Sequence, residues 1–377
     1  MRLLRQVVLL AASVFLLAVL CPAEGKAADL SVMEELEFTE IQDAVNEVLD
    51  GGFQFEDTVR ELITGEKSFT LEEIVTAAVR QMEGNWKTEK QILLSILVLG
   101  IAAALLSNFS SVFQNQQIAE VSFEITYLLL FLILLQVFSG AADVAEEVLA
   151  GMMEFMTALV PSYFLAVTLA SGGTTAIVFY QFLLGLIYLL EWLIRYGLMP
   201  LIQAQMILVF VNHLTREEYL SQLSEMVTRV TGWILKSMLA LVVGFNAIQG
   251  ILNPAIDTLK ATVFSRTAEM IPGIGNLAGG VADIVLGSAV LIKNGIGVAA
   301  LVVIAGICLT PMAKLGILIL LLELSAALIQ PVSDKRMVGC VAGVGGSVKL
   351  LFQMVLTTAI LFMLTIVVVT VSTGRTG

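Results

Sequence analysis

From Gln91 to Val371 this chain is a succession of long apolar runs separated by short polar breaks, and that pattern leaves few folds open. A hydrocarbon core is crossed by roughly 20 apolar residues in a helix. Inside it every backbone N–H and C=O must be paired within the protein, which leaves helical bundles and closed barrels. The runs do not alternate polar with apolar, so they read as helices. Breaks in the pattern place spans at Ile92–Ser107, Ile125–Phe138, Met152–Ser171, Thr174–Ile194, Leu201–Asn212, Ile234–Ile251, Asn276–Ile292, Ile296–Leu309, Leu315–Gln330 and Leu350–Val371. Leu201–Asn212 and Ile296–Leu309 are short for a full crossing and read as half-helices, or as runs extending past the breaks. Apolar residues make up 58% of the chain and charged residues 14%, against about 45–50% and about 25% in soluble domains. The expected fold is an all-α, polytopic membrane helical bundle of about 8–10 spans.

The N-terminal part has a different character. Arg2 and Arg5 precede an apolar run from Val7 to Leu20, followed by Pro22, Ala23, Ala27 and Ala28, the order of a secretory signal. Residues 1–28 are therefore read as a signal peptide or a retained N-terminal anchor. Residues 29–90 form an acidic segment expected outside the cytoplasm. From Glu24 to Lys90 there are 17 acids against 6 bases, nearly the whole of the chain's net −12. Such a segment has no electrostatic reason to bind nucleic acid. It reads as short amphipathic helices: Thr39 with Gln42 resembles a capping box, Thr70 with Glu73 repeats it, and Phe55, Val59, Leu62 and Ile63 mark a third helix between them. Helices this short bury too little to stand alone, so they are expected to pack on the membrane portion or on a partner.

The transmembrane domain, 91–377, shows a spacing that reads as duplication. Pro161 and Pro200 are 39 residues apart, as are Pro272 and Pro311, with an offset of 111 between the pairs. This gives tandem four-span units at 152–262 and 263–372. With Gln91 outside, the loops bearing Arg216, Arg229, Lys335 and Arg336 fall in the cytoplasm and the acidic stretch Ala141–Glu154 falls outside, in keeping with the positive-inside rule.

Residues able to carry chemistry are few. The chain has no GxxxxGK[ST] loop and no HExxH, and His213 is its only histidine, read as a residue at a span end. Cys21, Cys308 and Cys340 lack metal-ligand spacing. No cofactor, metal or catalytic site is expected. An aspartyl dyad needs a second intramembrane aspartate beside Asp283, and Asp143 and Asp257 lie in connecting segments. Ionisable groups within apolar runs are costly unless paired or wetted, which singles out Asp283 and Glu323 for a polar pathway or for bonding helices. Lys293 and Lys314 read as snorkelling to an interface, and Glu191 with Arg195 as an i,i+4 pair. Gly275 and Gly279, like Gly339 and Gly343, form GxxxG steps where helices approach closely or a chain hinges. Asn294 and Pro311 complete the candidates for pathway or helix packing.

The C-terminal half carries an ordered series of short motifs. These are Gly244-Phe245-Asn246-Ala247-Ile248-Gln249-Gly250, Pro254-Ala255-Ile256-Asp257, Ile271-Pro272-Gly273-Ile274-Gly275 and Leu286-Gly287-Ser288. After them come Leu291-Ile292-Lys293-Asn294-Gly295-Ile296-Gly297, Pro311-Met312-Ala313-Lys314, and Ala326-Ala327-Leu328-Ile329-Gln330-Pro331-Val332-Ser333-Asp334-Lys335-Arg336. In this series the chain resembles the stage III sporulation protein AE family of spore-forming Firmicutes, over about Asp29 to Val371. The resemblance implies a subunit of the secretion-like channel linking mother cell and forespore, held in the mother-cell membrane around the forespore. Its implied partners are the other proteins of the same stage III A operon, a secretion-type ATPase among them, and the forespore-side Q protein. The family supplies no catalytic residues to carry over. A homo-oligomer is compatible with such a subunit. The alternative, from a different class, is a self-sufficient secondary transporter, which would bring Asp283 and Glu323 together from facing helices at mid-membrane.

Overall fold

A computed structural model describes residues 33, 36–49, 53–64, 94, 98, 116–171, 173–214, 219–268, 275–331 and 333–372. Within its helices, the side chains of 116–120, 122, 171, 173–180, 182, 245–268, 275–286 and 371–372 fall outside the description. The signal segment, the capping box at Thr70, Pro272 and, apart from Leu94 and Val98, the run Ile92–Ser107 also lie outside the described residues. Those described are helical, with no strand among them, as the run pattern requires. The helices are α1 (Thr39–Val48), α2 (Phe55–Thr64), α3 (Gln116–Ser171), α4 (Gly173–Leu193), α5 (Met199–Leu214), α6 (Ser221–Ala268), α7 (Gly275–Ile329) and α8 (Lys335–Ser372), with a π-helical turn, Ile194–Leu198, between α4 and α5. Five helical stretches are long and apolar enough to cross a membrane. The chain is an all-α, multi-pass membrane bundle.

Adjacent runs fuse where breaks were expected. Ile125–Phe138 and Met152–Ser171 belong to the single 56-residue helix α3. The acid-bearing connection is itself amphipathic: Ala141, Ala142, Ala145, Val148, Leu149 and Met152 are buried at helical spacing, while Asp143, Glu146, Glu147 and Glu154 face outward. Charges on the outer face end an apolar run without ending a helix. In the same way α7 absorbs the breaks at Lys293–Gly295 and Thr310–Lys314, with Pro311 in its interior. Pro200 leaves a local mark. Its ring cannot share a regular turn with the carbonyl four residues earlier, and just before it the backbone widens, the Met199 N–H donating to the Ile194 carbonyl five residues back.

α8 is the hub, packing on α3, α5, α6 and α7, and α7 and α8 form a tight antiparallel hairpin. Asp334 caps the start of α8, its Oδ1 accepting the Arg336 N–H at 2.9 Å. The Arg336 guanidinium pairs with the same carboxylate at 3.3 Å and lies 3.5 Å from the centre of the Phe123 ring. At this end Tyr127 Oη donates to the Phe210 carbonyl at 2.7 Å, and Asn212 Oδ1 accepts the Leu220 N–H at 2.8 Å. His213 stands one residue from the end of α5, its Nδ1 2.8 Å from the Val209 carbonyl.

Candidate functional site

The acidic helices sit in a niche made by glycines. Ile41, Val45, Phe55 and Val59 are fully buried, and α1 packs on α3 while α2 packs on α7. A Cβ at Gly151 of α3 would lie 2.9 Å from both Val48 methyls; one at Gly295 would lie 3.0 Å from Ile63, and one at Gly306 3.3 Å from Leu49. Three missing side chains on two helices thus accommodate three branched ones. The expected cap is not formed: Thr39 opens α1 with no side-chain cap in front of it. Gln42 instead ties the two helices, donating to the Phe53 carbonyl at 2.7 Å and accepting the Phe55 N–H at 2.7 Å.

Beside this niche lies a buried polar cluster built from α3, α7 and α8. Lys293 does not snorkel. Its side chain is fully buried, and Nζ donates to the Thr370 carbonyl at 3.0 Å. That carbonyl is among the last four of α8, which have no intrahelical donor and carry the negative end of the helix dipole. The buried ammonium therefore closes a helix terminus. Thr370 Oγ1 donates to the Ile366 carbonyl, so in its 2.8 Å contact with Tyr163 Oη the tyrosine is the donor. Gly297 admits both groups, since a Cβ there would collide with Thr370 and press on Tyr163. One residue along α3, Ser162 donates to the Glu37 carbonyl at 2.7 Å. Asn294 belongs to the cluster's helix turn, and its Oδ1 is buried with no hydrogen-bond partner among the described residues. The motif Lys293-Asn294-Gly295-Ile296-Gly297 is thus a joint between α7, α8, α3 and α2.

The other candidates lie elsewhere. Glu323 is exposed on the outer face of α7, and Pro311 is half-buried in the interior of that helix. Asp283, Gly275 and Gly279 lie in the first turns of α7, their surroundings outside the described residues. Asp283 and Glu323 share one helix, and 40 residues correspond to about 60 Å along its axis, so within one chain they do not converge. Gly339 and Gly343 are contact points, with His213 and Val209 of α5 filling the space their side chains would take. Sequence reasoning missed Gly151, Gly306, Tyr163 and Thr370; the only available signal was glycine within runs of bulky residues. A cleft of about 750 Å³ between α1, α3 and α4 is lined by Glu40, Asp43, Glu47, Glu154, Glu191 and Arg195, among others. Among the described residues no three His, Cys, Asp or Glu side chains come together as metal ligands.

A bundle of long apolar helices, jointed through the lysine–glycine motif and clasped by acidic helices, can be set against known families. The family model for Stage III sporulation protein AE matches residues 53–373. The chain belongs to that family. A curated relative, Stage III sporulation protein AE of Bacillus subtilis (strain 168), is 26% identical over 314 residues, covering 83% of this chain and 78% of the relative. No solved structure matches. The family match takes in α2 to α8 and so spans the whole bundle and its buried joint, which marks the chain as a sporulation protein of the membrane.

Proposed function

We propose that the protein is a non-catalytic membrane subunit of the secretion-like channel complex joining mother cell and forespore, where it contributes to a conduit or to the platform on which one assembles. On this reading it sits in the mother-cell membrane around the forespore. It works there with the other stage III A-operon proteins and the forespore-side Q protein. The observation that carries the reading is the family match across the entire bundle. The separation of Asp283 and Glu323 along one helix weighs against the transporter alternative, which needs polar groups from broken helices at one depth. The test is to purify the tagged chain from sporulating cells and, separately, to reconstitute it alone in liposomes. Co-isolation of the operon's other products without solute flux through the lone protein is expected. Flux without partners would overturn the subunit reading in favour of a self-sufficient transporter.

A further inference from the structure

Hydropathy treats every apolar run of this chain as membrane, and the positions of the acidic helices contradict that. The outer faces of α1 and α2 carry Glu40, Asp43, Glu47, Glu56, Asp57 and Arg60, all exposed. These helices are seated against Gly151 of α3 and against Gly295 and Gly306 of α7. Hydrocarbon at that level would have to accommodate these six charged groups on two short helices, of which only Glu56 and Arg60 pair with each other, at 3.2 Å. Each unpaired one would cost several kcal/mol unless wetted. Water therefore reaches the middle of α3 and α7. The apolar residues there need no lipid. From 288 to 319 no side chain of α7 is exposed, and from 350 to 370 none of α8 is.

Exposed apolar side chains gather instead towards the end that carries the α5–α6 loop and the α7–α8 turn. On α3 six of them, Val121, Ile125, Leu128, Leu129, Leu132 and Leu135, lie at this end and two, Leu165 and Leu169, lie beyond it; on α7 they are Leu320, Leu324 and Leu328. Aromatic side chains mark two edges of this zone. Trp192, Tyr196 and Trp233 are 60%, 69% and 76% exposed at one edge, and Tyr219, beside the Asn212–Leu220 hydrogen bond, is 74% exposed at the other. Tyr196 to Asn212 is about 24 Å of helix, Trp192 to Asn212 about 30 Å and Trp233 to Ser221 about 18 Å, at most one hydrocarbon thickness between the two aromatic edges. Basic side chains stand near the first edge as well, Arg195, Lys236 and Lys349 all being exposed. Among the described residues the charges on the outer face of the zone are Glu124, the Glu225–Arg229 pair, 2.6 Å apart, and Glu323. All four lie within about 12 Å of the loop-side ends of their helices, within reach of head groups.

We propose that acyl chains cover only this tier, and that the remaining described length of α3, α7 and α8 stands out of the membrane on the acidic side as a helical column, in which α7 and α8 are enclosed by protein and α3 presents one face to water. For α3, the residues from Asp143 to Ser171 extend about 42 Å past the tier. Three of the expected spans, Met152–Ser171, Ile296–Leu309 and most of Leu350–Val371, are then column rather than membrane crossing. The inference concerns where lipid lies and does not depend on the channel reading, so either can fail alone.

The test uses the full chain in nanodiscs of phosphatidylethanolamine and phosphatidylglycerol, where both faces meet solvent. Leu132→Cys and Leu324→Cys probe the tier; Thr157→Cys and Leu165→Cys probe the column, and all four positions are exposed. A water-soluble maleimide–polyethylene glycol reports each by a gel shift, with the unsubstituted chain giving the background from the native thiols, of which Cys308 and Cys340 are buried. The column positions are expected to react roughly tenfold faster or more, because only thiolate in water attacks the reagent. The four rates should converge once the protein is denatured. Column positions as slow as the tier positions, or tier positions as fast as the column, would overturn the proposal.

Discussion

Gly140 and Gly151 stand eleven residues apart on α3 and differ in one respect. A Cβ at Gly140 meets nothing within 4 Å, whereas one at Gly151 comes within 2.9 Å of both methyls of Val48. Alanine at either position gains about 1 kcal/mol of helix propensity over glycine. At Gly151 that gain is opposed by overpacking of about 1–3 kcal/mol, because the nearest atoms belong to a β-branched side chain with little rotameric freedom. Gly140→Ala should therefore stabilise the fold by about 1 kcal/mol. Gly151→Ala should fall below it by about 1–3 kcal/mol. The loss should appear where α1 leaves its niche. Hydrogen exchange of the α1 and α2 amides in nanodiscs should be faster in Gly151→Ala than in Gly140→Ala by roughly 5- to 150-fold, the equivalent of 1–3 kcal/mol. Adding Val48→Ala should recover much of the difference, a coupling that a double-mutant cycle reads directly. Equal exchange in the two glycine variants, or no relief from Val48→Ala, would refute the niche.

Further outcomes follow from single contacts, each read by thermal unfolding in detergent or nanodiscs. Asp334→Ala removes the cap of α8 and should cost about 1 kcal/mol, with Asp334→Asn retaining most of the stability. Lys293→Ala leaves the Thr370 carbonyl without its Nζ donor and opens a cavity, so a loss of about 3 kcal/mol or more is expected. Tyr127→Phe deletes the hydrogen bond to the Phe210 carbonyl and should cost about 1 kcal/mol, with the ring stacking on Phe210 at 5.0 Å retained. Glu323→Gln, on an exposed face, should stay within about 0.5 kcal/mol of the parent; a larger loss would show that the carboxylate has a structural partner.

Fold class was legible because apolar excess and missing alternation leave one solution in lipid, and those signals are spread over hundreds of residues. The breaks between helices were not legible. Asp143, Glu146, Glu147 and Glu154 interrupt hydropathy, but a helix ends at backbone signals, and Ala141–Glu154 contains helix formers whose apolar members repeat at the right spacing. Lys293 misled for a related reason: a lysine between apolar runs ordinarily reaches for an interface, and nothing local announces that the carbonyl of Thr370, 77 residues away, lies within its reach. Gly339 and Gly343 were readable as close approaches because their spacing is itself the signal. Gly151, Gly295 and Gly306 were not, since their partners Val48, Ile63 and Leu49 lie far off in sequence and three separated glycines spell no motif. The joint was visible only as an ordered family pattern without a physical reason; the contacts of Lys293, Gly295 and Gly297 supply that reason.

The unbroken course of α3 has a mechanical consequence. At about 84 Å it is a strut that touches Phe210 near one end, holds the acidic helices at its waist and meets Thr370 through Tyr163 further on. Pro161 lies inside α3 beyond this waist, but from Gln116 to Val160 no proline loosens the helix, so a pull on α1 is delivered as leverage at the loop end, and a push on the loops tilts the niche. Sensing on one face and response on the other would then be two ends of the same rigid body.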